Sequence, residues 1–444
     1  MADEYEFDNI YQLSHQNGQI PFLLDRDIGK YRPQEEQDFS LANKAGEANI
    51  DAFNRLRVSN PLTLFDSSHR YGDNGLWAEF HSGPNSSGVF NTDQGLIDLN
   101  VDSTAGSQVL RETTKIFSYQ PGKSLLIMTT FVMNPAKEGL RERVGYFGTE
   151  NGYYFQKDDF DISFVERSST LGSIQENIVL QEDWNVDKLD GNGKSGITLD
   201  ASKGQILWAD IEWLGIGTVR MGFVINGQFI ICHKFHHANL VPQTYITTAS
   251  LPLRYEITNK TATASNSTLK QICSTVISEG GYELVGLQQA VGTPITLAKD
   301  LGAIGARAPI VTIRLKADRT DAVVILTALS LLGLNNGTNF RWEVVAAGIT
   351  AGGSGTWISA GPRSSVEYKL DAETISGGRI LAAGYIQGSA QGSTPIDILK
   401  EALFKFQLER NSFIDDRFEI SLVCSASAGN ADVFGSLDWE EVSR

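Results

Sequence analysis

Apolar and polar residues alternate with a period of two through most of the chain. In residues 205–213 (QILWADIEW), Gln205, Leu207, Ala209, Ile211 and Trp213 fall on one side and Ile206, Trp208, Asp210 and Glu212 on the other. A strand places successive side chains on opposite faces, so this pattern predicts a β-strand with one face in a core. Similar runs recur at 124–133 (SLLIMTTFVM), 144–148 (VGYFG), 160–166 (FDISFVE), 218–235 (TVRMGFVINGQFIICHKF), 253–258 (LRYEIT) and 272–279 (ICSTVISE). Asn226-Gly227 inside the 218–235 run predicts a two-residue hairpin, because both residues tolerate the positive φ of a type I′ turn.

A second series of strand-like runs follows Tyr282, among them PIVTIRLKA, AVVILTALSLL, FRWEVVAAG, RILAAGYIQ and FEISLVCSAS. Gly-rich turns at 335–337, 352–355 and 376–378 separate them. The sequence therefore predicts an all-β chain, with two antiparallel β-sandwich (jelly-roll-like) domains preceded by an extended N-terminal arm. The expected organisation is an arm at 1–50, a sandwich at 51–280 that resembles the concanavalin-like lectin folds, and a second sandwich at 281–444, with the join at the glycines of 279–282 (EGGY). The one helical pattern is the short stretch 396–405 (IDILKEALFK). No repeat of fixed period is present.

Composition narrows the function. The 444 residues carry a formal charge of −16, which disfavours a partner held through phosphates: nucleic acid or an anionic membrane surface. No apolar run reaches the ~18 residues that a membrane helix needs, so membrane insertion is not expected. The opening MADEYEFDNI is acidic where a secretory leader is basic. The three cysteines, Cys232, Cys273 and Cys424, lie far apart in apolar runs. They predict buried, reduced thiols and folding in a reducing cytoplasm.

Residues 187–200 (DKLDGNGKSGITLD) hold the densest candidate motif, a formal G-x-G-x-x-G ending in Gly-Lys-Ser. A phosphate loop needs a further glycine where Lys188 stands, and a helix directly afterwards. The residues that follow are β-branched and then strand-like, so no nucleotide cofactor is expected. Asp187, Asp190 and Asn192 leave two readings open: a structural calcium held by hard oxygen donors, or a polar turn in which these side chains bond their own backbone.

His233, His236 and His237 follow Cys232 in CHKFHHAN. Strict alternation sets His233 and His237 on one side and Cys232 and His236 on the other. Four zinc ligands then do not converge, and a strand-end cluster at a surface or subunit contact is expected. Among the tryptophans, Trp184 is a candidate for ligand or interface contact, since exposed indoles stack on sugars. Carboxylates on a shared face (Asp210 with Glu212) or clustered (Asp158, Asp159, Asp161) keep a glycan depolymerase in view.

Four segments are distinctive: DAFNRLRVSNPLTLFDS (51–67), WNVDKLDGNGKSGITLD (184–200), EWLGIGTVRMGFVING (212–227) and LPLRYEI (251–257). Together they resemble a family of virion structural proteins of tailed phages, notably phages of cyanobacteria and other aquatic hosts. The resemblance covers roughly 50–290 and is loose beyond. Asn54 stands where that family usually has glycine, a swap compatible with positive φ. The resemblance implies a non-enzymatic β-sandwich component of the particle, surface-exposed and oligomeric. Its partners would be other virion proteins and sister subunits, met through the arm. Its location would be the virion, after synthesis in the host cytoplasm and release by lysis. The alternative is a tail-fibre or spike adhesin that binds a receptor or a host surface glycan.

Overall fold

The computed structural model describes residues 60–443 apart from Leu284, 389–405 and Asp415; of residues 1–59 it describes the strands Phe22–Asp25 and Lys30–Pro33. The chain divides into two compact units, 1–60 and 61–444. In the first, the two strands pair as an antiparallel hairpin, Phe22 opposite Pro33. The helical pattern at 396–405 lies outside the described residues.

The second unit is built from antiparallel strands, as the alternation predicts, and no α-helix occurs among its described residues. Strands between 62 and 278 form two sheets. One runs, edge to edge, Gln175–Leu180, Asp161–Ser168, Gly152–Asp158, Leu140–Phe147, Leu253–Asn259, Gln108–Thr113, Trp77–Ser82. The other runs Gln228–Phe235, Val219–Ile225, Gln205–Ile211, Leu125–Val132, Ser267–Ser278, Leu96–Val101, Ser87–Asn91, with Leu62–Ser68 also on Ser267–Ser278. The predicted face of residues 205–213 lies in the core between them through Leu207, Ala209 and Ile211. Phe155 bridges the layers, its ring 6.0 Å from Phe131 and 5.2 Å from Phe223. The predicted hairpin is present, with φ of 52° at Asn226 and 76° at Gly227, both positive as a type I′ turn requires.

Strands between 287 and 443 form a four-stranded and a six-stranded sheet around another core, which includes Leu331, Trp439, Val344 and Leu422. The six-stranded sheet runs Ile358–Ser359, Val366–Lys369, Ala308–Leu315, Ile420–Ala426, Asn339–Ala351, Thr374–Gln387. This half is joined to the first by shared packing and by backbone. Val323 and Ile325 belong to the first core, the Gln407 amide donates to the Ile116 carbonyl (2.8 Å), and the Arg410 N–H donates to the Thr114 carbonyl (3.0 Å).

The expectation of three buried thiols is corrected at Cys273, which is exposed. Its strand slips register against Leu125–Val132 between Gln271 and Ser274. The Thr130 hydroxyl spans the slip, accepting from the Cys273 N–H (2.7 Å) and donating to its carbonyl (3.0 Å). Cys232 and Cys424 are buried, and burial pushes both thiols up to about 12.

A row of charges crosses the outer face of the seven-stranded sheet. The register sets Arg167 opposite Glu176, Arg143 opposite Glu256 and Arg254 opposite Glu112. The contacts run on without a break: Arg167 to Glu176 (2.7 Å), Glu176 to Arg143 (3.4 Å), Arg143 to Glu256 (3.7 Å), Glu256 to Arg254 (3.1 Å), Arg254 to Glu112 (2.7 Å) and Glu112 to Arg410 (3.0 Å). Arg410 comes from the far half of the sequence, and Ser412 adds a hydroxyl to Glu112 (2.7 Å). Aromatic rings roof the row: Arg254 lies 5.6 Å from the Phe147 ring and 5.3 Å from that of Phe413. Buried charges of this kind hold only while each keeps its partners. Glu112→Ala strands Arg410 and leaves Arg254 with Glu256 alone, and is expected to lower unfolding free energy by about 3–5 kcal/mol in urea titrations; a loss below about 1 kcal/mol, the range of a surface pair, contradicts this reading.

Candidate functional site

The edge strands Gln175–Leu180 and Gln228–Phe235 end opposite sheets of the first sandwich. Beside them, the turns that follow His236 close a groove of about 750 Å³. Its floor is Glu166. Residues Ile162, Phe164 and Glu166 share the inward face of their strand, so a carboxylate enters an apolar layer and must be paired there. Glu166 accepts from the Tyr153 hydroxyl (3.1 Å), from His237 Nε2 (3.0 Å) and from the Asn177 amide (3.4 Å). The other ring nitrogen of His237 faces the Gly217 carbonyl. The ring lies flat on Tyr245, centroids 3.8 Å apart.

The three histidines do not form the surface cluster that strict alternation predicts. The pairing with Val219–Ile225 shifts register between Met221 and Gly222, leaving Cys232 as an extra residue. Cys232 and Phe235 both enter the core, His233 and His237 are buried, and only His236 is exposed. His233 Nδ1 accepts from the Asn185 N–H (3.3 Å), and burial, with His236 nearby, lowers its pKa to about 4, so it stays neutral. Asn185 imitates a neighbouring strand: its amide donates to the Lys234 carbonyl and its oxygen accepts from the Lys234 N–H, each at 2.9 Å.

Trp184 is not available to a ligand. It is 2% exposed, stacks on Phe164 at 4.4 Å and donates its indole N–H to the Val179 carbonyl (3.2 Å). The groove wall is made instead of amides and one amine, Gln175, Asn177, Asn185, Gln243 and Lys234. Its rim carries two exposed leucines, Leu171 (69%) and Leu240 (71%). Sequence reasoning passed over Glu166, although a charge in phase with Ile162 and Phe164 was a usable signal.

The loop at 187–199 resolves toward the polar turn. Asp187 is buried, and its carboxylate accepts the N–H groups of Leu189 (3.0 Å) and Ser195 (2.8 Å). Asp190 is exposed and accepts the Asn192 N–H (2.8 Å), so the two carboxylates serve separate backbone turns. Gly193 is fixed by this arrangement: a Cβ there would stand 2.2 Å from the Asp187 carboxylate. Of the other carboxylates Asp161 is exposed, and four have partners. Asp210 pairs with Arg220, Glu212 accepts the Thr218 N–H (3.3 Å), and Asp158 and Asp159 both pair with Lys260. Asp187→Ala leaves two backbone N–H groups without their acceptor and is expected to cost about 1–3 kcal/mol, while EDTA leaves the wild-type melting temperature unchanged; a calcium-dependent melting temperature contradicts the polar turn.

The sequence matches no protein-family model and no curated protein. Among solved structures, a protein of unknown function from Shewanella oneidensis MR-1 matches at 9% identity over 57% of this chain and 98% of its own, TM-score 0.34. The CBM2 module of the evolved Dit of Lactobacillus casei BL23 phage J-1 matches at 8% identity over 51% and 100%, TM-score 0.31. Arcelin-5, a lectin-like defense protein from Phaseolus vulgaris, matches at 10% identity over 50% and 100%, TM-score 0.30.

Proposed function

We propose that the chain is a non-enzymatic structural component of a tailed-phage particle, made in the host cytoplasm and released with the particle by lysis. The observation that carries this reading is where the phage-like segments fall. The segment at 251–257 lies on the strand that brings Arg254 and Glu256 to the charge row. The segment at 184–200 supplies the buried Trp184 stack and the Asp187 turn. The segment at 212–227 is a turn, the strand Val219–Ile225 and the Asn226-Gly227 hairpin. Three of the four segments that resemble the family are therefore framework, and a framework locked by buried ion pairs suits a load-bearing part. Residues 1–50 anchor the chain to the particle. Quantitative mass spectrometry of gradient-purified particles is expected to find the chain at a fixed copy number per particle; its absence from particles refutes the proposal.

A second reading, a glycan-binding adhesin, is favoured by the groove. Side-chain amides and the Glu166 carboxylate are the groups that pair with sugar hydroxyls, and Leu171 and Leu240 offer apolar contact to sugar C–H faces. Calorimetric titration with host surface polysaccharide is expected to give binding that Gln175→Ala/Asn177→Ala abolishes; silence of the wild-type chain towards that polysaccharide counts against it.

A further inference from the structure

The geometry points to a self-association surface: the free edge of the strand Thr374–Gln387 pairs, antiparallel and about a two-fold axis, with the same edge of a second copy. This strand ends the six-stranded sheet, and among the described residues no strand pairs with its outer side. At 14 residues it is longer than the other sheet-ending strands of the sandwiches.

The direction of its backbone groups follows from Gly388. Its N–H donates to the Thr338 carbonyl and its carbonyl accepts the Gly337 N–H, so both point towards the strand Asn339–Ala351. By the period of two, Ala383, Tyr385 and Gln387 turn their N–H and C=O groups the opposite way, off the sheet. The same three side chains are exposed, Tyr385 at 77%, whereas Ala382 and Ile386 pack on the core.

Edges of this kind attract other chains, and folded proteins usually guard them with charge, proline or brevity. Most other edges here are guarded in this way; of the two that also lack charge and proline, Leu287–Gly292 has only six residues, and Val323–Gly333 is bonded on its outer side by Phe406 and Leu408. Glu176 sits on Gln175–Leu180, Lys234 on Gln228–Phe235, Glu79 and His81 on Trp77–Ser82, while Ser87–Asn91 has five residues and Ile358–Ser359 two. The stretch from Ile380 to Gln387 (ILAAGYIQ) has no charge and no proline.

That composition selects the occupant. About a two-fold axis, residues of an edge face themselves or their near neighbours, so a charged edge repels its own copy. An uncharged edge pairs with itself without that penalty. With the axis at Tyr385, Ala383 and Gln387 exchange hydrogen bonds with Gln387 and Ala383 of the second copy. The result is about six main-chain bonds and one continuous sheet through both molecules.

The inference is independent of the particle role, because the purified full chain tests it directly. Light scattering coupled to size exclusion at micromolar concentration is expected to give twice the 48.6 kDa chain mass. Tyr385→Lys sets two ammonium groups against each other at the axis, and Ala383→Pro removes an edge N–H. Each is expected to give the monomer mass with an unchanged melting curve, and added salt is expected to recover dimer for Tyr385→Lys alone. A wild-type chain that runs as a monomer, or an oligomer that both variants leave intact, overturns the inference.

Discussion

The structure of residues 61–444 depends on one constraint: a buried charge must keep its partner. Glu112 meets it by bonding Arg254 from its own sheet and Arg410 and Ser412 from the far half of the sequence. A row of carboxylates and guanidiniums continues from there to Glu176 at the sheet edge. Hydrophobic burial would tolerate sliding of one sandwich over the other, because apolar contacts are not directional. The ion pairs are directional, and a slide that parts them leaves charge stranded away from water. Arg410 makes the two halves one object, and Glu176, on the edge strand beside the groove, stands near the other end of the same row.

Strand alternation was legible because a period of two survives in a single sequence, and the Asn226-Gly227 turn was legible because its two φ angles are set locally. The charge row was not. Arg254 and Glu256 alternate with apolar Leu253, Tyr255 and Ile257, and alternation alone assigns them to solvent, while Glu112 and Arg143 follow charged neighbours, Arg111 and Glu142, and have no clear phase. Only the register sets Arg254 opposite Glu112, and only the return of residues 406–413 covers them. Long-range pairing of this kind has no local signature.

The site errors share a second cause. The histidines were placed by strict alternation and Cys273 by its apolar run, and in both strands a register shift intervenes. One extra residue reverses every face beyond it. The shift at Cys232 buries His233 and His237, and the shift beside Cys273 turns a thiol outward. The loop at 187–199 was half legible. Its oxygen donors and glycines were recognisable as turn-forming, but the inward turn of Asp187 and the space that Gly193 leaves for it are tertiary facts.

The central claim is that both sandwiches of residues 61–444 unfold as one body. Differential scanning calorimetry of the full chain tests it most directly. The account predicts a single endotherm for this unit, with calorimetric and van't Hoff enthalpies in agreement. Two resolved transitions, one for each sandwich, would contradict it.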